Sequence, residues 1–443
     1  MLDLAGKRVI VVGLGRSGIA AARLCAARGA SVVGTDSRPP AELPPEAKDV
    51  AMTICAPGHE SVLFESADLV VVSPGVPRLT VLDAAERAGV SVIGELELAA
   101  SFIAAPIVAI GGTNGKSTVT TAVAALFGAA GKKVFAGANL GTPLSEAVGQ
   151  AFDVVVAEVS SFQLERAPTF RPKVSVLLNV TEDHLDRYDC FDDYAHAKGN
   201  AFVNQTPDDA AVIPEHDAVV RREATRGRGR LVTFGEGADY TVAGRSVVER
   251  ATGERFSLDD TDFHGAHNVA NAAAAIAVAR CFGERRPAVE AGLRAFRSLG
   301  HRMTLVAELD AVRYYDDSKA TNVGAAVTAL LGIAEERAVL VAGGRDKLGS
   351  YAPLVDALRK KGRAVVVIGE AAARIEAAVG GAVPVVHAKD MNAAVETART
   401  LAKPGDAVLL SPACASFDMF RSYADRGDRF AEAVRALAPG RAP

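Results

Sequence analysis

The sequence predicts an α/β protein of three domains in series, each a mainly parallel sheet with helices on its faces. Three observations predict it. Short Val- and Ile-rich runs (RVIVV, DLVVV, DVVVA, AVLVA, AVVVI) recur along the chain, and strands buried on both faces read as continuous apolar runs. Ala-rich segments with helical spacing stand between them, so strand and helix alternate. Two different glycine-rich loops each join a strand to a helix, and 443 residues leave room for two or three such layers.

Composition narrows the function classes. Hydrophobic residues are 49% of the chain and aromatic ones only 5%, so the core is built from Ala, Val, Leu and Ile. A net charge of −4 gives no electrostatic reason to expect nucleic acid or an anionic membrane as a partner. No apolar run is as long as a membrane span, and MLDLAGKRVIVV runs straight into a strand, so a cytoplasmic protein is expected. The cysteines (Cys25, Cys55, Cys190, Cys281, Cys414) are scattered without a CxxC pair. They read as reduced thiols, and a zinc site is not expected.

Residues 1–97 are expected to form the first, Rossmann-like domain. The strand Arg8 to Val12 enters GLGRSG, where Gly13, Gly15 and Gly18 match G-x-G-x-x-G. A helix and a second strand follow, ending at Asp36. This is a dinucleotide-type fingerprint: a pyrophosphate at the helix N-terminus, with Asp36 or its neighbours near a ribose. The glycines could also serve turn packing alone. A further strand, ADLVVVSPGV, ends at Ser73-Pro74-Gly75, on the edge where ligands bind in open parallel sheets.

Residues 98–300 are expected to form a central P-loop-type ATPase domain. IVAIGGTNGKST (Ile107 to Thr118) reads as strand, Gly-rich loop and helix start. Gly111, Gly112, Thr113, Asn114 and Gly115 offer backbone N–H groups to a triphosphate, and Lys116, Ser117 and Thr118 open the helix. Lys116 would reach the β and γ phosphates, and Ser117 would ligate Mg²⁺. The general motif wants glycine where Ile110 stands, so the loop is one residue short. FDVVVAEVSS delivers Glu158 at a strand end, the position of a second Mg²⁺-holding carboxylate. Asn139 ends the strand before it, and VSVLLNVTEDHLDRY places His184 just past a later one, so His184 is favoured as a site residue. Lys198 lies in a predicted helix and by itself reads as an ordinary lysine. Asn268 and Asn271 share a face at the start of an Ala-rich helix, either as caps or as ligand groups.

Residues 301–443 are expected to form a Rossmann-like C-terminal domain. A strand ends at Asp316-Asp317, with Lys319 opening a helix, and three further strand–helix repeats follow. Strand-end loops carry Arg345, Asp346 and Lys347 in GGRDKLGS and Ser416 in SPACASFD, candidates for an anionic substrate.

Taken together, GGTNGKST, NVTEDHLDR, GAHNVAN, DDSKATN and SPACASFD resemble the Mur ligases of bacterial cell-wall synthesis, in the family's order and over essentially the whole chain. GLGRSG, GGRDK and SPACASFD are similar to the branch that adds D-glutamate. The resemblance implies that the first domain holds UDP-N-acetylmuramoyl-L-alanine, the second MgATP, and that the third completes the ATP and D-glutamate sites. It assigns Arg16, Ser17, Ser37, Arg38 and Gly75 to the UDP end and Asn139 and His184 to the muramoyl end. It puts Asn268, Asn271, Arg302, Asp317 and Lys319 near ATP, with His301 adjacent. Thr321, Lys347, Ser416 and Phe417 resemble the family's D-glutamate contacts. Lys198 aligns with a lysine that the family carbamoylates, which would hold a second Mg²⁺ beside His184. Tyr423 stands where some relatives carry Phe.

The implied chemistry phosphorylates the L-alanyl carboxylate and then lets the D-glutamate amine attack the acyl phosphate. Keeping water from that intermediate calls for closure over the substrates. A monomer is expected. The rivals are a sibling ligase or folylpolyglutamate-type synthase using another amino acid, a nicotinamide dehydrogenase, which leaves the P-loop unexplained, and a non-catalytic nucleotide-sensing scaffold.

Overall fold

The computed structural model describes residues 2–437. Three sheets follow one another along the chain. The first contains β1 (Arg8–Val12), β2 (Ser31–Thr35), β3 (Met52–Cys55), β4 (Leu69–Val72) and β5 (Ser91–Gly94), all parallel, in the order β3-β2-β1-β4-β5. Helices α1 (Arg16–Ala27), α2 (Thr80–Arg87) and α3 (Glu95–Ala100) connect it or follow it. The chain turns back between β1 and β4, so their C-terminal ends flank a crevice at the switch point.

The second sheet has nine strands: β6 (Ile107–Gly111), β7 (Val134–Ala138), β8 (Val154–Glu158), β9 (Val174–Leu177), β10 (Ala210–Pro214), β11 (Arg230–Gly235), β12 (Tyr240–Val242), β13 (Ser246–Glu249) and β14 (Arg255–Ser257). Their order is β14-β13-β12-β11-β10-β9-β6-β8-β7, parallel except for β12 to β14. Helices α4 (Lys116–Ala129), α5 (Ser161–Leu164), α6 (Phe191–Val203), α7 (Ala218–Ala224), α8 (Ala266–Cys281) and α9 (Arg286–Ala295) belong to this stretch. The near-continuous alanines of α8 leave no polar face, and Ala272 to Ala279 are all buried in the core with Val108, Ile110, Val123 and Phe127. The sequence pattern does not mark β10 to β14 separately. The strands β12 to β14 are only three or four residues long, and polar residues (Thr241, Ser246, Arg255, Ser257) take up much of them, which blurs the period of two.

The third sheet is β15 (Thr304–Leu309), β16 (Val312–Asp316), β17 (Ala338–Gly343), β18 (Gly362–Ile368), β19 (Val385–His387) and β20 (Ala407–Leu410), in the order β15-β16-β20-β17-β18-β19. Its helices are α10 (Val323–Gly332), α11 (Ala352–Lys361), α12 (Ala372–Val379), α13 (Met391–Leu401) and α14 (Tyr423–Ala436). Three details differ from expectation. The single strand before Asp316 is an antiparallel hairpin, β15–β16, turning at Asp310 and Ala311, both with positive φ. Lys319 does not open a helix: it sits in a loop, and α10 begins at Val323, capped by the Asn322 side chain accepting the Ala325 N–H. One more strand–helix repeat, β19–α13, stands before β20; three residues of strand were too few to read.

Among the described residues, those of Met1–Val180, Ala195–His264 and Asn268–Arg297 pack as one compact unit and hold the first two sheets. Those of Thr181–Tyr194, Gly265–His267 and Ser298–Pro443 form a second unit around the third sheet. Within the first unit, α3 fastens the two sheets to each other. Buried Glu95 accepts the N–H and hydroxyl of Ser145, and Glu97 accepts the N–H of Thr169.

Candidate active site

The Gly-rich loop leaves β6 at the switch point of the second sheet, where β6 lies between β8 and β9. Gly112 (φ 146°) and Gly115 (φ 86°) adopt backbone angles that L side chains rarely reach. A Cβ on Gly115 would also sit 2.7 Å from the Asn271 side-chain oxygen. The strand-end residue Asn179 clamps the loop: its side chain accepts the Asn114 N–H (2.9 Å) and donates to the Asn114 carbonyl (3.1 Å), and its own carbonyl accepts the Thr113 N–H (3.0 Å). The sequence shows Asn179 only as the end of a strand. Adjacency of that strand to the loop was the missing signal.

Two lysines converge on the loop. Lys116 Nζ donates to the carbonyls of Gly112 and Thr113, each at 2.9 Å. Lys198 of α6, only 3% exposed, donates to the same Gly112 carbonyl at 2.9 Å. The Ala-rich helix adds Asn271, which donates to the Asn268 side chain (3.1 Å), and Asn268 in turn bonds the His264 carbonyl (2.9 Å). Asn268 is thus tied backwards rather than capping a helix N–H through these bonds.

Strand register places Glu158 opposite Ile110, the residue before the loop glycines. Its carboxylate is buried. One oxygen accepts a bond from Asn139 Nδ2 at 2.7 Å, while Oε2 has no hydrogen-bond partner. A buried carboxylate oxygen left orphaned is costly unless a cation or water takes it. Buried Ser117 lies in the first turn of α4. Among the described residues no group of three or more His, Cys, Asp or Glu could hold a metal. That donor set fits Mg²⁺, which takes one or two protein oxygens and otherwise phosphate and water.

The first sheet carries a cavity of about 560 Å³ at its switch point, lined by Gly13, Gly15, Arg16, Ser17, Ser37, Arg38, His59, Glu60 and Gly75 among others. All five residues assigned by resemblance to the UDP end line it. Gly13 and Gly18 touch so closely that a Cβ on Gly18 would lie 1.8 Å from the Gly13 carbonyl. Asp36 also lines the cavity, and its carboxylate is fully engaged. Its oxygens accept the Leu14 N–H (2.7 Å), the Arg38 N–H (2.9 Å) and a two-pronged bond from the Arg38 guanidinium (2.9 and 2.8 Å). Burial opposes its ionisation, but these bonds prevail and hold its pKa at about 2. The carboxylate therefore orients Arg38 on the cavity wall. His59 was missed from the sequence. Thr35 gives its one hydroxyl proton to the Gly58 carbonyl (2.8 Å), so His59 Nδ1, 2.9 Å from the same oxygen, is the donor of that pair.

In the second unit, buried Asp183 gathers three groups. Lys347 Nζ donates to it at 2.9 Å, Asn322 reaches its other oxygen at 3.4 Å, and the His184 N–H bonds it at 3.0 Å. His184 has φ 56°, and its Nε2 is 3.7 Å from Asp183. Asp317 is buried and accepts the Ser411 hydroxyl at 2.8 Å. Burial pushes its pKa up to about 7 despite that bond and the nearby Arg302 charge. His301 Nδ1 pairs with Asp316 at 2.6 Å. Lys319 Nζ stands 3.9 Å from the centre of the Tyr423 ring, a cation–π contact for a phenol whose role the sequence leaves open. Thr321 follows in the same loop, half-buried; Ser416 is buried, whereas Phe417 is 68% exposed. The sequence also conceals Arg426, which reads as a solvated helix residue. It is fully buried and donates to the Ser318 hydroxyl and carbonyl and to the carbonyls of Cys414 and Ala415, bracing the loops of Asp317 and Ser416.

Comparison with known proteins bears on all three sheets. Residues 7–94 match the Mur ligase MurD-like N-terminal domain, 110–279 the Mur ligase middle domain, and 301–414 the Mur ligase glutamate ligase domain. A UDP-N-acetylmuramoylalanine–D-glutamate ligase of Geotalea daltonii is 44% identical over 451 residues, covering 99% of both chains. One from Anaeromyxobacter dehalogenans is 45% identical over 450 residues, covering 97% of both. The fold is similar to that of the MurF ligase of Thermotoga maritima in complex with ADP (TM-score 0.62, 19% identity, 99% of this chain and 100% of that one). A pseudomurein peptide ligase type C from Methanothermus fervidus gives a TM-score of 0.64 at 18% identity, over 98% of this chain and 100% of that one. With its three sheets, its glycine-rich loop between β6 and α4 and full-length relatives at this identity, the chain belongs to the Mur ligase family.

Proposed function

We infer that this enzyme is an ATP-dependent ligase that joins D-glutamate to UDP-N-acetylmuramoyl-L-alanine in cytoplasmic peptidoglycan precursor synthesis. The full-length relatives that carry this activity in their name support the reading. The observation that carries the chemistry is the loop itself: Lys116 and Lys198 converge on one carbonyl, and Oε2 of buried Glu158, at the end of the neighbouring strand β8, lacks a hydrogen-bond partner. The proposed division of labour gives residues 1–97 the UDP moiety, 98–300 the nucleotide, and 301–443 further ATP contacts and D-glutamate.

The L-alanyl carboxylate attacks the γ-phosphorus in line, the bond to the β–γ bridging oxygen breaks, and ADP leaves. The D-glutamate amine then attacks the acyl carbon, loses a proton, and the carbon–oxygen bond to phosphate breaks. Lys116 releases its loop carbonyls for the phosphates, and the loop N–H groups orient them. Ser117 and Glu158 would hold Mg²⁺, which supplies charge neutralisation for the transferred phosphoryl group. Arg16, Ser17, Ser37, Arg38 and Gly75 would hold the UDP end, and Asn139 and His184 the muramoyl end. Asn268, Asn271, Arg302, Asp317 and Lys319 would serve the nucleotide, and Thr321, Lys347, Ser416 and Phe417 the incoming amino acid. In the proposed active form the Lys198 amine adds to CO₂, forming an N–C bond and releasing a proton. The change turns a cation into an anionic oxygen donor for a second Mg²⁺.

ATP-dependent phosphate release with UDP-N-acetylmuramoyl-L-alanine tests the reading. Turnover with D-glutamate and not L-glutamate is expected, and equal turnover with both would reject it. Lys198→Ala should lose activity and regain part of it with added short carboxylates; a fully active alanine variant rules the carbamate out.

A further inference from the structure

We propose that Arg374 is a positioning residue for the incoming amino acid: it holds the loop 345–350 in the one shape that presents Lys347. The inference rests on the reading of Lys347 as a D-glutamate contact and adds the element that aims it.

The loop leaves β17 at Gly343 and re-enters helix at Ala352. Four interactions tie it to Arg374 of α12. One guanidinium nitrogen donates to Asp346 Oδ2 at 2.5 Å, and another donates to the carbonyls of Leu348 (3.2 Å) and Gly349 (2.9 Å). The guanidinium also lies 5.4 Å from the centre of the Tyr351 ring. Asp346 passes the constraint on, since its other oxygen accepts the Leu348 N–H (2.9 Å) and the Tyr351 hydroxyl (3.2 Å). The constraint has work to do. Leu348 has φ 60°, a left-handed angle unfavourable for a branched side chain, and its side chain is 59% exposed, so its own burial does not hold it there. Lys347 stands between Asp346 and Leu348, both anchored. Its side chain is only 17% exposed and is aimed at Asp183 at 2.9 Å. Were Leu348 to relax to negative φ, the carbonyls that Arg374 grips would turn away and Lys347 would lose its direction. A planar fork that bonds one carboxylate and two carbonyls at once is a task for arginine; lysine cannot reproduce it.

The test measures KM for each substrate by phosphate release from the full chain, with thermal melting alongside, for Lys347→Met, Arg374→Met and the double variant. Lys347→Met should raise KM for D-glutamate strongly. Arg374→Met should raise it about tenfold and leave KM for ATP and for the UDP substrate within about twofold, a split that general loss of structure would not give. The double variant should be no worse than Lys347→Met alone, because Arg374 acts through Lys347. Arg374→Lys should fall between wild type and Arg374→Met. If Arg374→Met melts without a cooperative transition, Asp346→Asn breaks the same bond from the other side and should show the same selective rise. A D-glutamate KM unchanged in folded Arg374→Met, while Lys347→Met is impaired, overturns the positioning role alone. So does a parallel rise for all three substrates, or additive effects in the double variant. An unimpaired Lys347→Met overturns the substrate role of Lys347 and this inference with it.

Discussion

At the scale of single residues, burial separates groups that serve the fold from groups kept for chemistry. Glu158 spends one carboxylate oxygen on Asn139 and leaves the other without a partner. An oxygen kept dry and unbonded gives nothing to stability, so Glu158→Gln should melt no lower than wild type. If Mg²⁺ neutralisation is worth several kcal/mol, kcat should fall by about two orders of magnitude. Unchanged kcat at saturating Mg²⁺ would remove Glu158 from the site. Asp317 makes the converse trade. Its folded pKa of about 7 lies above the ordinary 3.8, so the folded state binds the proton more tightly than the unfolded chain. Stability from this group is therefore fully present below about pH 4, declines as pH rises, and the penalty is complete above about pH 7. Asp317→Asn should raise the melting temperature at pH 8, with the gain vanishing near pH 4, while ATP-dependent turnover drops. A gain independent of pH would show that ionisation is not its source.

At the scale of elements, the two glycine-rich turns show how a motif divides its labour. Gly15 begins the turn into α1 with extended backbone and empty space where a Cβ would go, whereas Gly18 presses on the Gly13 carbonyl. Gly15→Ala should therefore fold as the wild type does yet lose affinity for a UDP ligand, whose phosphates must approach the backbone. Gly18→Ala should lose about 1–3 kcal/mol of stability through overpacking. Urea denaturation and UDP titration of both variants separate the roles, and a destabilised Gly15→Ala would contradict the assignment. The motif was legible from spacing alone, but this division was not, because it depends on which atom of α1 meets β1.

At the scale of the whole molecule, three mainly parallel sheets each place loops at strand C-termini, and each carries its own cluster of polar groups. The cavity of about 560 Å³ at the first sheet is lined by the loops that follow its strands, all between Gly13 and Leu79. UDP should accordingly bind the intact chain without ATP or D-glutamate, and Lys116→Ala should bind it with wild-type affinity in calorimetry while forming no ADP. Loss of UDP binding in that variant would show that the two sites are not independent.

The sequence by itself determined the α/β class, the two glycine loops, the strand-end carboxylate Glu158 and the family. The class, the loops and Glu158 rest on short-range patterns of apolar runs and glycine spacing, and the family rests on the resemblance of whole motifs taken in order along the chain. Only the tertiary structure decided which strands neighbour one another. With that came Asn179 on the glycine-rich loop, His59 on the cavity of the first sheet, Arg426 under the Asp317 loop and Arg374 behind Lys347. It also showed Asp36, on the wall of that cavity, anchoring the neighbouring Arg38. The physical reason is common to all of these. A side chain's partners across a sheet edge are set by topology, and neither the local spacing nor the ordinary habits of Asn, His and Arg in a chain carry that information.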